Sequence, residues 1–179
     1  MSEQKTIKEQ LLQESEKLVD LSEALEGAIE QNNQEAADKI IHELDAMGSK
    51  LVQQLEEVEG DDLAYVNFML GSLCSVLRMW PQAEDSYYKA LDQWPDHVGI
   101  LNELFLSLYA QEKYEAAEDI IKKSIEHGGE TPDVLQNYAA VLVKRDHLAE
   151  AKVVLFNSMA KFPDDQETRE MLGELDKMT

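Results

Sequence analysis

The residues able to do chemistry are few and scattered. Four histidines, His42, His97, His127 and His147, lie far apart in the chain. No two of them share the i, i+4 spacing by which one helix offers two imidazoles to a metal ion. His97, His127 and His147 fall where helices are expected to end, an ordinary place for imidazole. The lone Cys74 follows Leu70 and Gly71 by one turn on an apolar helix face, with no basic neighbour in sequence to favour the thiolate. It has no second cysteine with which to pair. No G-x-G-x-x-G, Walker A, G-x-S-x-G or H-E-x-x-H string occurs, and Gly128-Gly129 reads as a helix stop rather than a phosphate cradle. Carboxylates abound, but they fall on polar helix faces and nothing isolates two of them as an acid/base pair. The expectation is a non-enzyme with no catalytic residue, no cofactor and no metal.

The elements that would position any working residue are helices. Only 8 Gly and 4 Pro occur among 179 residues, and Ala, Leu, Glu, Gln, Lys and Met dominate over β-branched types. The chain is long enough, and at 44% hydrophobic apolar enough, to bury a core. No apolar run approaches the roughly 20 residues that cross a bilayer. The opening MSEQKTIKEQ is polar and mixed in charge, unlike a secretory signal, so a cytoplasmic protein is expected. The formal charge is −21, with 17 acids against 5 bases before Ala64 and 20 against 11 from there on. Such a field repels phosphate backbones and anionic membrane surfaces, so neither nucleic acid nor membrane is expected as a partner. It suits a basic partner, and it also suits plain solubility.

A period of 34 residues organises most of the chain. Segments 64–97, 98–131 and 132–165 align so that Ala83, Ala117 and Ala151 coincide. Trp80, Tyr114 and Leu148 precede these alanines by three, and Tyr87, Ile121 and Leu155 follow by four. Pro95, Gly129 and Pro163 close the segments. Apolar residues recur three and four apart, so each half-segment is an amphipathic helix, and the small alanine marks a close helix crossing. Turns are expected at Arg78–Pro81, Gln111–Lys113 and Lys144–Asp146. Asp96, Thr131 and Asp164 are candidate N-caps, while Pro81 and Pro132 suit first turns.

This pattern resembles the tetratricopeptide repeat (TPR) family. The first segment carries Leu70-Gly71, Trp80, Ala83, Tyr87, Ala90 and Pro95. The second keeps Leu104, Tyr114, Ala117 and Ile121, but has Phe105 at a small-residue position, Ser124 at the later alanine and Gly129 at the proline. The third keeps Ala139, Leu148, Ala151 and Pro163, with Ser158 for the later alanine, and Leu172-Gly173 recurs in register. The resemblance implies an all-α, TPR-like α-solenoid of stacked antiparallel helix pairs, with three repeats in 61–179 and a C-terminal cap helix over 166–179. It also implies a concave groove lined by the first helix of each pair: Tyr65, Phe68 and Ser72, then Asn102, Leu106 and Tyr109, then Gln136, Ala140 and Val143. Relatives in that family clamp an acidic C-terminus with basic side chains on this face. Here Phe68, Ser72, Asn102, Asp133 and Asn137 stand there instead, so an apolar or basic segment of a protein or peptide is the expected ligand.

Residues 1–60 read as an acidic N-terminal helical hairpin. Leu11, Leu18, Leu21, Leu25 and Ile29 form one stripe; Ile40, Ile41, Leu44, Met47, Leu51, Leu55 and Val58 form another, with Gln31-Asn32-Asn33 between. The run from Gln34 to Ile41 parallels that from Tyr114 to Ile121, which points to a degenerate repeat out of phase by twelve residues. Glu59-Gly60-Asp61-Asp62 reads as a hinge. The same stripes allow another reading, since Leu44, Leu51 and Val58 are seven apart and could pair with a second copy. Two functions follow: a protein-interaction scaffold, adaptor or chaperone-like, or a structural protein that self-assembles as a homodimer or larger species through its N-terminal helices.

Overall fold

A computed structural model describes residues 7–177, and among these the chain forms nine helices and no strand. They are α1 (Ile7–Glu30), α2 (Gln34–Gln54), α3 (Gly60–Val76), α4 (Trp80–Leu91), α5 (Val98–Ala110), α6 (Tyr114–Glu126), α7 (Pro132–Lys144), α8 (Leu148–Lys161) and α9 (Gln166–Lys177). The chain packs as two compact units divided between Pro95 and Asp96, one holding α1–α4 and the other α5–α9.

The turn inside each helix pair is the same structure made four times. Arg78, Glu112 and Asp146, 34 residues apart, all adopt positive φ, and so does Asn32 between α1 and α2. After each of them one N–H reaches back five residues: Asn33 to Ala28, Met79 to Cys74, Lys113 to Leu108 and His147 to Leu142, at 2.8–3.0 Å. This is the αL termination that occupies the last free carbonyls of a helix and reverses the chain. Asparagine and aspartate tolerate that conformation; arginine and glutamate do so at some cost. The N-terminal hairpin thus turns by the rule that governs the repeats.

In the first unit, α2 packs against both α1 and α3, and α4 against α3. Leu11, Leu18, Leu21, Leu25 and Ala28 of α1 meet Ala37, Leu44, Met47 and Leu51 of α2 and Val66, Met69, Leu70 and Leu73 of α3 in one apolar cluster that also takes in Val58. The α1 stripe therefore closes on Ala28, while Ile29 points outward, as does Ile41 on α2. Leu44, Leu51 and Val58, the heptad-spaced residues, are buried in their own chain, so that seam is not available to a second copy. Lys50–Glu14 and Lys17–Glu43 pair across α1 and α2. Gly60 takes a positive φ, and of the residues expected as a hinge, Glu59-Gly60-Asp61-Asp62, Glu59 stands at the N-cap of α3 and the other three form its first turn.

In the second unit the helices alternate, α6 lying against α5 and α7, and α8 against α7 and α9. Ala83, Ala117 and Ala151 are all fully buried, as a close crossing requires. The caps differ from expectation by one residue in two places. His97, not Asp96, caps α5, its Nδ1 accepting from the Ile100 N–H at 3.3 Å. Asp165, not Asp164, accepts from the Thr168 N–H at 2.7 Å at the start of α9. In both cases the accepting atom must lie three residues before the free N–H, and only the later residue does. Thr131 caps α7 as expected, accepting from Val134 at 3.3 Å.

Candidate functional site

The face shared by the first helices of the second unit carries a small apolar cavity of about 200 Å³. Its walls are Tyr109 of α5, Ala140, Val143 and Lys144 of α7, and Met171 and Glu174 of α9; Ala139, Leu155 and Leu175 form its floor. The floor is buried in the α7–α8–α9 core, whereas Tyr109, Ala140, Val143 and Met171 are half-buried. Tyr109 is held at the edge by ring contacts to Phe105 at 5.7 Å and Tyr114 at 5.4 Å. The repeat places these side chains together because residues 34 apart stand at equivalent positions on successive first helices. One cation and one anion, Lys144 and Glu174, complete the lining.

Of the nine residues expected to line a groove, Tyr109, Ala140 and Val143 line this cavity, and Leu106 is exposed on α5. Gln136 does not face outward. It is buried, and its Nε2 donates to Asp165 Oδ2 at 2.9 Å and Thr168 Oγ1 at 3.1 Å, tying α7 to α9. Asn102, one period earlier, is likewise spent inward, its Oδ1 accepting from Ser124 Oγ at 2.6 Å. Both amides therefore answer polar groups that the repeat buries, Ser124 in one pair and Thr168 in the other. In the first unit, Phe68 lies 6.3 Å from the rings of both Tyr65 and Tyr87, and Ser72 donates to the Phe68 carbonyl of its own helix.

Of the walls, Lys144, Met171 and Glu174 are not among the expected groove residues. The signal was present: Glu174 is one further period beyond Leu106 and Ala140. Reading α9 only as a cover for the stack hid the fact that it also supplies a wall.

A buried charge cluster links α6 to α7. Glu118 is buried and bonds to both Lys122 and Arg145, while the Lys122 ammonium lies 5.8 Å from the Tyr138 ring centroid. Burial alone would raise the Glu118 carboxyl, but the two cationic donors outweigh it and hold it below the ordinary glutamate value. Burial pushes the Tyr138 phenol up and, in the first unit, the Cys74 thiol up, which keeps that thiol protonated. His127 Nε2 lies 3.3 Å from Asp96 Oδ1, His147 Nδ1 lies 3.9 Å from Glu150 Oε1, and His97 caps a helix, so three of the histidines have structural neighbours. Among the described residues no group of three or more His, Cys, Asp or Glu is placed to hold a metal ion, and no helix is long and apolar enough to cross a membrane.

No protein-family model and no curated protein matches the sequence. Solved structures do match by fold. The first TPR of Spaghetti (RPAP3), bound to an HSP90 peptide, is 17% identical with a TM-score of 0.59, over 67% of this chain and 98% of that one. A double mutant of MamA RS-1 is 11% identical with a TM-score of 0.69, over 89% of this chain and 85% of that one. A tetratricopeptide repeat protein from Parabacteroides merdae is 17% identical with a TM-score of 0.64, over 96% and 72%. The chain therefore has the all-α TPR fold.

Proposed function

We propose that the chain is a non-catalytic protein–protein interaction scaffold, an adaptor or chaperone-like protein of the cytoplasm, that holds an apolar side chain of a partner peptide or helix in the α7–α9 cavity. The observation that carries this reading is the cavity itself: half-buried Tyr109, Val143 and Met171 stand over a buried apolar floor. At about 200 Å³ it is smaller than the roughly 300–1,000 Å³ of small-molecule sites and suits one anchoring side chain. The TPR of Spaghetti, which shares the fold, has an HSP90 peptide bound. With one lysine against one glutamate at the rim, this cavity offers no excess of positive charge for an acidic ligand, so an apolar or basic segment is favoured.

The test is a photo-crosslinking residue at Met171 in the native cell, followed by titration of the captured partner's segment as a synthetic peptide. Val143→Asp and Tyr109→Ala are expected to weaken its binding roughly tenfold or more while the helical circular dichroism is kept. Unchanged affinity in both variants refutes the assignment.

A second reading, self-assembly through the N-terminal helices, is favoured by Leu12, Val19 and Ile29 of α1 and Val52 of α2, each more than half exposed. Light scattering that shows a dimer or larger species, lost in Leu12→Lys/Val19→Lys, supports it; a monomeric full-length chain sinks it.

A further inference from the structure

The first unit holds a second cavity, of about 300 Å³, that lies apart from the groove positions except for Tyr65. It opens where the start of α1, the start of α3 and the segment after α4 come together, and is lined by Lys8, Leu11, Leu12, Asp61, Asp62, Tyr65 and Trp94. We propose that this cavity binds the side chain of an arginine in a basic partner peptide, with its guanidinium between the Trp94 and Tyr65 rings and the Asp61 and Asp62 carboxylates.

Three observations carry it. The indole is fixed in place, since Trp94 Nε1 donates to Asp61 Oδ1 at 2.8 Å, and this bond also orients the carboxylate. No other hydrogen bond or ion pair engages the Asp61 or Asp62 carboxylate among the described residues. Among the described residues, two anions against the single cation Lys8 leave the lining one positive charge short. Aromatic faces attract a cation, and a planar guanidinium can stack on a ring while donating to a carboxylate. Buried Leu11 beneath and exposed Leu12 beside them give an apolar path for the methylenes of the same side chain.

The repeat supplies an internal control. Aspartates in the first turn of α3 are ordinary, because a helix N-terminus favours negative charge. Indeed the acid at position 62 recurs as Asp96, Glu130 and Asp164. The rest of the constellation does not recur. One and two periods on, Asp61 becomes Pro95 and Gly129, Tyr65 becomes Gly99 and Asp133, and Trp94 becomes Gly128 and Phe162. The aromatic and carboxylate lining is therefore specific to this end of the chain rather than a by-product of the TPR pattern.

The experiment titrates the full chain, as Trp80→Phe so that Trp94 alone emits, with the capped peptide acetyl-Gly-Arg-Leu-Gly-amide and its citrulline twin. The arginine peptide is expected to bind roughly tenfold tighter and to change the indole emission. Asp61→Asn/Asp62→Asn should reduce it to the citrulline level. Glu23→Gln/Glu26→Gln, which removes the same charge outside the cavity, should leave affinity within about twofold. Equal binding of the twins, equal loss in the two charge pairs, or binding with no change in emission overturns the proposal. Should the aspartate variant fail to fold, Lys8→Ala serves instead: removing the resident cation tightens the arginine peptide if the proposal holds, and unchanged or weaker binding refutes it. Val143→Asp leaves this titration unaltered, which separates failure here from failure of the groove reading.

Discussion

Gly71→Ala tests whether the crossing of α3 and α4 is set by close contact. A Cβ built on Gly71 lies 2.5 Å from Tyr87 Cε1, 2.6 Å from Cδ1 and 3.0 Å from Cζ, against the ~3.5–4.0 Å of ordinary carbon contact. The two must separate by about 1 Å. The ring has nowhere to go: Tyr87 is fully buried, its hydroxyl lies 3.1 Å from Ser75 Oγ, and the Phe68 ring lies tilted against it at 6.3 Å. Overpacking of this kind costs about 1–3 kcal/mol, while removing a mid-helix glycine returns about 0.5–1 kcal/mol. The expected net destabilisation is about 1–2 kcal/mol. Both tryptophans, Trp80 and Trp94, lie in the α1–α4 unit, so urea unfolding followed by indole fluorescence reports on the unit in question. With a slope of roughly 1–3 kcal/mol/M, the midpoint should fall by roughly 0.3–2 M. Gly27→Ala is the control, since a Cβ there meets nothing within 4 Å, and it should raise the midpoint slightly. Tyr87→Leu should relieve the clash, giving the double variant a favourable coupling of about 1 kcal/mol or more. A Gly71→Ala variant as stable as the parent would show that the crossing has slack, and the reasoning would fail.

Other expectations follow from the same contacts. Glu112→Gly should stabilise the second unit by about 0.5–1 kcal/mol in thermal unfolding, because αL strain of ~1–2 kcal/mol exceeds the entropy that glycine adds. Gly129→Ala should destabilise it by about 1–3 kcal/mol, since a Cβ there falls 2.6 Å from Val98 Cγ1 and 2.8 Å from the Ser124 carbonyl, and backbone cannot step aside. Glu118→Gln should cost about 1–2 kcal/mol at neutral pH, discounted because Lys122 and Arg145 reach solvent. The sign with pH follows from the depressed carboxyl: its stabilisation is complete above about pH 4.5, the ordinary glutamate value, and is lost as pH falls through the lower folded value. The gap in amide exchange of α6 and α7 between parent and variant, followed from pH 7 to pH 3, should therefore be constant above about pH 4.5 and narrow below it. A gap that stays constant down to pH 3 would count against the ion pairs. Asp165→Ala should leave the first turn of α9 uncapped and speed its amide exchange, with α5 unaffected.

The helical repeat was legible because it is written in local chemistry. The alanines at 83, 117 and 151, the bulky residues three before them and the turn signals between are each a choice that one helix pair makes for itself. The turn geometry could be placed but not described: neither Arg78 nor Glu112 is a residue that announces a positive φ, yet both adopt it because the five-residue return bond after them leaves no other path. Surface was harder to read than core. The resemblance to the TPR pattern puts Gln136 and Asn102 in the groove, and it took the packing of α9 and α6 to show that their amides answer buried hydroxyls. Ile29 reads as core by spacing, yet its neighbour Ala28 is the residue that enters the core while Ile29 is exposed.

The sequence by itself determined the period, the helix pairs and the absence of any familiar catalytic motif, since these depend on residues within a turn or two of one another. Only the tertiary structure decided which faces are free. Glu174 enters a cavity with Tyr109, and Trp94 reaches Asp61 33 residues earlier, through the stacking of helices that no local pattern records. A repeat specifies how each pair folds; what a given position meets depends on the neighbour against which that pair is packed.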